Sequence, residues 1–324
     1  MTEKTRSYSS RLMNSNTFRE LGIFIAFIIV LIVLTILSPN AFARPANLIN
    51  ILKQASINGI LATGMMFVII SGGIDLSVGS TVALAGVIAA TFAHPGEYPL
   101  IVPVILALVV GGVVGLINGY GVAYGNIPSF IVTLGTMTIV RGVALIAANG
   151  QPVFNVTKEF EVIAGGFFLN VIPHLVIFFV VIIAIFATIL TRTVFGRRVY
   201  AIGGNEIAAK VSGINVKRIK LAVYTITGVL AGLAGLLLAS RIISGNPTAG
   251  QGYELDAIAA VIIGGVSMSG GAGKWYGTVI GALLIAVIGN GLDILNVSSH
   301  LQLIIKGTII IVAVLLDTKG KEKT

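Results

Sequence analysis

Four ionisable side chains stand in or beside long apolar sequence: Asp75, Arg141, Asp256 and Lys306. Charge inside a bilayer is costly, so each is a candidate for a substrate path, a gate or an interhelical pair. Simpler roles compete. Arg141 and Lys306 could lie near the outer ends of their spans and extend their charged heads to the interface. Asp75 could cap a helix that begins near Leu76, and Glu254 and Asp256 would by default be solvated at an outer rim. Ser77, Ser267 and Ser269 join Asp75 as candidates for the path or its gate, because they stand where the apolar pattern is interrupted.

There are two such interruptions. The short run Ser56–Ile70 is followed by Ser71-Gly72-Gly73-Ile74-Asp75-Leu76-Ser77-Val78-Gly79, and the short run Asp256–Val266 overlaps a serine- and glycine-rich stretch from Gly264 to Gly273. Val68-Ile69-Ile70-Ser71-Gly72-Gly73 reads like Val261-Ile262-Ile263-Gly264-Gly265, which points to an internal repeat. Unwound backbone at membrane depth is tolerated where it lines a cavity, and glycine-broken short helices at matching places in two halves point to a substrate path. Tight cytoplasmic turns between ordinary hairpin helices are the competing reading.

The third informative stretch is polar. Residues 191–220 carry seven basic residues, and their middle reads Gly203-Gly204-Asn205-Glu206-Ile207-Ala208-Ala209-Lys210-Val211-Ser212-Gly213. Asn205 is a candidate N-cap and Gly213 a C-terminal stop, which predicts a short helix between them. Such a helix could dock a partner, or the loop could lie on anionic lipid.

Other chemistry is missing. Gly273-Lys274 is the nearest approach to a phosphate-cradling loop, but Trp275 follows it and Met268 stands where the first glycine belongs, so the chain is not expected to bind ATP itself. No nucleophile elbow, zinc-protease helix or paired-carboxylate site is visible, so no enzyme and no cofactor are expected. Cysteine is absent, and His94, His174 and His300 lie far apart, so no metal site is expected.

The elements that must position these residues follow from composition. Of 324 residues, 56% are hydrophobic and 10% charged, against roughly 25% charged in a soluble domain; the mean hydropathy is +1.01. A chain so apolar cannot cover a water-facing exterior. Its apolar runs are Leu21–Leu37, Ser56–Ile70, Leu76–Ala93, Leu100–Ala123, Pro128–Ala148, Val171–Leu190, Leu221–Ala239, Asp256–Val266, Trp275–Ile294 and His300–Leu316. They predict an all-α polytopic membrane protein with about ten transmembrane helices. The first run resembles a signal peptide with Ala41-Phe42-Ala43 as its cleavage site, but its 17 residues exceed the usual apolar region of about 7–15.

With ten crossings, 15 of the 21 lysines and arginines fall inside, which predicts cytoplasmic N- and C-termini. The same rule accounts for the net charge of +9 without nucleic acid as a partner. The chain then divides into an N-terminal tail over 1–20, one transmembrane domain over 21–316 and a C-terminal tail over 317–324. Gly111, Gly115 and Gly119, with Gly228 and Gly232 and with Gly277 and Gly281, form stripes that let helices approach closely in lipid.

Several long strings carry a resemblance: Gly73-Ile74-Asp75-Leu76-Ser77-Val78-Gly79-Ser80, Gly203-Gly204-Asn205-Glu206 with Ser212-Gly213-Ile214-Asn215-Val216, and Pro247-Thr248-Ala249-Gly250 with Gly252-Tyr253-Glu254-Leu255-Asp256-Ala257-Ile258-Ala259-Ala260-Val261. From about Leu21 to the C-terminus the chain resembles the ribose/xylose/galactose permease family of bacterial ATP-binding cassette importers. The resemblance implies a permease of the bacterial inner membrane, paired with a second copy as a homodimer. It also implies cytoplasmic ATP-binding subunits, an extracytoplasmic sugar-binding protein, and alternating access for a small sugar, ribose first. It makes Asn205–Val211 the helix that docks in the ATPase, with Gly203, Gly204, Asn205, Glu206, Ala209, Lys210 and Gly213 as its coupling residues. An ion-coupled secondary carrier is the rival, since an internal repeat suits it too.

Overall fold

A computed structural model of the chain describes residues 22–321. The N-terminal tail over 1–20 and the last three residues lie outside the described residues. Each of the ten apolar runs becomes a helix, numbered here with three further helices in chain order. They are α1 (Gly22–Leu37), α2 (Pro45–Ile70), α3 (Val78–Thr91), α4 (Ile101–Ala123), α5 (Ser129–Ala147), α6 (Lys158–Gly165), α7 (His174–Arg192), α8 (Val194–Gly204), α9 (Glu206–Val211), α10 (Val216–Ile242), α11 (Tyr253–Ile263), α12 (Trp275–Ile294) and α13 (Ser299–Lys321). Among the described residues the only strands are β1 (Phe167–Phe168) and β2 (Ile172–Pro173), an antiparallel pair ahead of α7.

Among the described residues six helices, α2, α4, α5, α7, α10 and α12, are long and apolar enough to cross a bilayer. Six of the ten expected crossing segments thus have full spanning length. Helices α3 and α11 have 14 and 11 residues, rising about 21 and 16 Å at 1.5 Å per residue against a hydrocarbon core of roughly 30 Å. Helix α13 continues past the apolar run that ends at Leu316, reaching Lys321.

Helix α2 is the centre of the bundle. Every residue from Ala55 to Ile70 is buried, as expected of a helix apolar all round, and its neighbours are α7, α10, α11 and α12. Ser56–Ile70 is not a short segment after all, because the helix begins at Pro45, a residue suited to a first turn. Its polar first half is secured by partners: Asn47 and Asn290 of α12 exchange side-chain amide hydrogen bonds of 2.9 and 2.8 Å. The Lys53 ammonium lies 4.5 Å from the centre of the Phe167 ring.

The glycine stripes pack as expected. Helix α4 meets α10 through Gly111, Gly115 and Gly119, and a Cβ on Gly111 would stand 2.8 Å from the Gly232 Cα. On α12, Gly277 and Gly281 face the backbone of Gly264 and Ala260. Large apolar side chains such as Ile139, Ile146, Leu303 and Ile304 remain exposed on outward helix faces, the surface a lipid environment covers.

Residues 149–173 form a cap over the ends of α3 and α10. The Thr157 side chain caps α6 by accepting from Phe160 N, the Ser240 hydroxyl of α10 donates to the Phe160 carbonyl at 2.7 Å, and Val153 bridges Gly245. His94 and His174 are held against the Asn155 and Val162 carbonyls at 3.0 and 2.8 Å.

Candidate functional site

Helices α2 and α11 end in the same turn. At the first, Gly72 N donates to Ile69 O and Gly73 N to Val68 O; at the second, Gly265 N donates to Ile262 O and Val266 N to Val261 O. Gly72 and Gly265 take φ of +83° and +86°, a left-handed geometry that favours glycine and closes both helices. The repeated strings thus encode a repeated helix stop. The end of α2 also touches the loop that follows α11, where Gly271 N donates to Ile70 O at 2.9 Å.

Beyond these turns the chain enters and leaves the bundle twice. Residues 71–77 run from the end of α2 to the start of α3, and residues 243–252 run from the end of α10 to the start of α11. The two half-length helices meet at their N-terminal turns: a Cβ on Gly250 would stand 2.6 Å from the Gly79 carbonyl, and Gly79 lies directly beside the Glu254 carboxylate. From there they run in opposite directions. Helix α3 reaches the cap, where Thr157 N donates to Ala93 O, and α11 runs to its stop at Gly264, against Gly277 of α12.

Asp75 is the most buried charge of the first segment. Its Oδ1 accepts from Ser77 N at 2.9 Å, from Ser77 Oγ at 2.7 Å and from Asn118 Nδ2 at 3.3 Å. The expected cap at Leu76 is corrected: α3 starts at Val78, and Asp75 instead folds onto Ser77 in a turn ahead of the helix. Asn118 Oδ1 is buried without a hydrogen-bond partner among the described residues. The adjoining Ile74 is held on three sides, with its N–H donating to Ser129 Oγ at 3.3 Å and its carbonyl accepting from Tyr224 and Thr133 at 3.3 and 3.4 Å.

The second segment is held by Arg141 of α5, whose Nη1 donates to the Pro247 and Ala249 carbonyls at 2.7 and 2.8 Å. Helix α5 therefore grips both irregular segments. Asp256 and Glu254 are not at a solvated rim: Asp256 is buried and pairs with Lys306 of α13 at 2.9 Å, and Glu254 lies against Gly79. The reason is the inward course of residues 243–252, which carries the first turn of α11 into the bundle. Lys306 is thus an interhelical partner.

Ser267 and Ser269 lie apart from Asp75, in the loop after α11, where Ser269 N donates to Ser267 Oγ at 3.3 Å. That loop abuts α8. Tyr200 donates its phenol hydrogen to the Gly273 carbonyl at 2.7 Å, and burial pushes the Tyr200 phenol above its ordinary range, with Lys274 opposing. At the end of α8, a Cβ on Gly203 would fall onto the Ile70 carbonyl and lie 2.5 Å from Gly271 N. Gly203 and Gly204 are the seat on which the α2 stop and Gly271 of the loop after α11 rest.

Helix α9 stands outside this seat. Asn205 Oδ1 accepts from Ala208 N at 2.9 Å, Gly213 has φ +81°, and Ala209 is buried. Glu206 is paired to Lys220 at 2.6 Å, so it shapes the loop from within. The most exposed apolar side chains here are Ile207 and Val211, at 78% and 83%. Sequence reasoning passed over these two, and also Asn118, Tyr200 and Tyr224. A lone amide within the apolar run Leu100–Ala123 was the available signal for Asn118.

Comparison with known proteins agrees with this architecture. Residues 47–314 match the family described as branched-chain amino acid transport system / permease component. The chain is 46% identical to the ribose import permease protein RbsC of Bacillus subtilis, over 98% of each chain. It is 44% identical to RbsC of Escherichia coli K12, over 91% of this chain and 92% of the relative. Against the xylose transport system permease protein XylH of Haemophilus influenzae the identity is 36%, over 92% of this chain and 96% of the relative. No solved structure matches. With its repeated helix stops, apolar spans and whole-length relatives, the chain belongs to the ribose-type family of ATP-binding cassette permeases and is a multi-pass protein of the inner membrane.

Proposed function

We propose that the chain is the membrane-spanning subunit of an ATP-driven importer and carries a small sugar, ribose first, by alternating access. In this reading residues 21–316 form one transmembrane domain of ten crossing segments, with residues 1–20 and 317–324 in the cytoplasm. Residues 191–220 dock on a separate ATP-binding subunit, a second copy of the chain completes the path, and an extracytoplasmic sugar-binding protein delivers the substrate. The names of the ribose and xylose relatives support the sugar, and the excess of lysine and arginine on one side supports the orientation.

One observation carries the docking. Ile207 and Val211, four residues apart on α9, share a helix face and are almost fully exposed on a helix whose cap and internal ion pair are already satisfied. Large apolar side chains held out on a rigid helix suit burial in a partner's groove. Asn205, Glu206, Lys210 and Gly213 then serve the shape and setting of the helix, while Ile207 and Val211 make the contact. ATP-dependent closure of the partner would favour one conformation of the permease through its differential affinity for the two. Sugar hydroxyls would be met where the two half-helix starts converge, beside Asp75, Ser77 and Arg141, as in transporters built on broken helices, with Ser267 and Ser269 gating the foot of the path.

The test is co-purification of the ATP-binding subunit, with ATP-driven uptake in vesicles, for the parent and for Ile207→Asp with Val211→Asp. Loss of both in a double variant that still inserts in the membrane is the expected result. Retained capture and uptake would remove α9 as the contact. Sugar uptake by the chain alone, driven by an ion gradient without ATP, would replace the importer with an ion-coupled carrier.

A further inference from the structure

Beside α9 lies a cavity of about 730 Å³, bounded by the Ser71–Gly73 turn, the connection between α4 and α5, and the first turn of α10. We infer that it binds a phosphate-bearing anion, through Lys210, Lys217 and Lys220. Glu206 and Lys210 of α9 line it but Ile207 and Val211 do not, so the site adjoins the proposed docking contact without using its two apolar side chains.

Charge makes the case. Lys210, Lys217 and Lys220 line the cavity with one carboxylate, Glu206, among them. Glu206 is already committed to Lys220 at 2.6 Å. Lys210 and Lys217 have no carboxylate partner among the described residues; Lys217 Nζ lies 5.4 Å from the centre of the Tyr124 ring. The lining thus holds a net charge near +2. A phosphate monoester carries about −1.5 to −2 near pH 7, and lysine ammoniums bind phosphate as point charges.

Two further features match an anion. Helix α5, 19 residues long, opens toward the cavity at Pro128 and has no side chain capping its first turn, leaving backbone N–H groups and the positive end of its dipole on the same side. The Asn126 side chain, also in the lining, adds an amide donor. Apolar walls at Val122 and Ile127 leave room for the organic part of a phosphate ester. Two sources share this chemistry, an anionic lipid headgroup and a soluble phosphate ester.

A general excess of cytoplasmic basic residues would attract anions without any site, and Arg218 separates the two cases. It is exposed, lies next to Lys217 and does not line the cavity. Purified full-length chain would be titrated with inorganic phosphate and glycerol 3-phosphate, and by native mass spectrometry with phosphatidylglycerol against phosphatidylcholine. The probes would be applied to the parent, to Lys210→Gln with Lys217→Gln, to Lys217→Gln alone, and to Arg218→Gln. The double variant should weaken binding at least tenfold, the single variant several-fold in the same direction, and Arg218→Gln less than twofold, with helicity unchanged. Binding of the soluble probes alone identifies a free phosphate ester, and preferential retention of phosphatidylglycerol identifies a headgroup. No binding of any phosphate probe, or an equal loss in Arg218→Gln, would overturn the site.

Discussion

The seat at Gly203 offers the sharpest test of how the proposed docking helix is joined to the rest of the bundle. In Gly203→Ala the new methyl would fall onto the Ile70 carbonyl and lie 2.5 Å from Gly271 N, and it cannot rotate away because both neighbours are backbone. Overpacking of this kind costs about 1–3 kcal/mol. Separating Ile70 O from Gly271 N, now 2.9 Å apart, removes a hydrogen bond worth about 1 kcal/mol, so the total is about 2–4 kcal/mol. The adjacent Gly204→Ala is the control: its Cβ would meet nothing within 4 Å, and it should stay within about 0.5 kcal/mol of the parent. Heat-induced loss of folded chain in detergent, followed by the fluorescence of the single tryptophan, Trp275, reads the local change, because Trp275 opens α12 directly after the loop in question. Gly203→Ala should unfold several degrees earlier and yield less uptake per ATP in the assembled importer, while Gly204→Ala should do neither. Equal behaviour of the two variants would refute the idea that Gly203 seats the α2 stop against the loop after α11.

Three other outcomes are expected. Asp256→Asn or Lys306→Met alone should each destabilise the chain by about 3–5 kcal/mol, because each leaves one charge of a buried pair uncompensated; the double variant should recover most of that loss, and additive losses in a thermal-stability cycle would disprove the coupling. Asn118→Ala removes two hydrogen bonds from the Asp75–Ser77 cluster and should cost about 1–3 kcal/mol, whereas Asn118→Leu, if equally stable and active, would show that the amide is dispensable. For Tyr200 the raised phenol keeps its proton in the folded chain, so its contribution is complete below the unfolded value of about 10 and declines as pH rises above it. Thermal stability measured from pH 8 to 11 should therefore fall less steeply in Tyr200→Phe than in the parent.

Apolar length was legible in the sequence: each of the ten runs became a helix, and the polar bounds of α9 were visible in Asn205 and Gly213. The inward turn of residues 243–252 was not. A run beginning at Asp256 has the same composition whether its start faces water or lies inside the bundle, and the partner that distinguishes these, Lys306, lies 50 residues away. Helix α8 was hidden for another reason. Its residues Val194-Phe195-Gly196-Arg197-Arg198-Val199-Tyr200 mix charge with glycine and read as loop, although the buried Val199 and Ile202 keep a helical spacing. Asn118, Ser129, Thr133 and Tyr224 come from three helices and share only their convergence on Ile74–Ser77, which no local pattern encodes.

Convergence also decides how the two irregular segments can move. Helix α5 holds Ile74 through Ser129 and Thr133 and holds Pro247 and Ala249 through Arg141. The starts of α3 and α11 abut at Gly79 and Gly250, while the end of α2 is tied through Ile70 to Gly271 of the loop after α11 and seated on Gly203. A displacement imposed on α8 and α9 reaches the foot of α2 first, because Gly203 is in direct contact with Ile70 and with Gly271 bonded to it. It then reaches Asp75 through only the short chain Ser71–Ile74, which glycine makes pliable and Tyr224 anchors. Two closed contacts joined by a pliable link favour a pair of discrete arrangements over continuous deformation, and on the proposed reading these are the two faces of an alternating path.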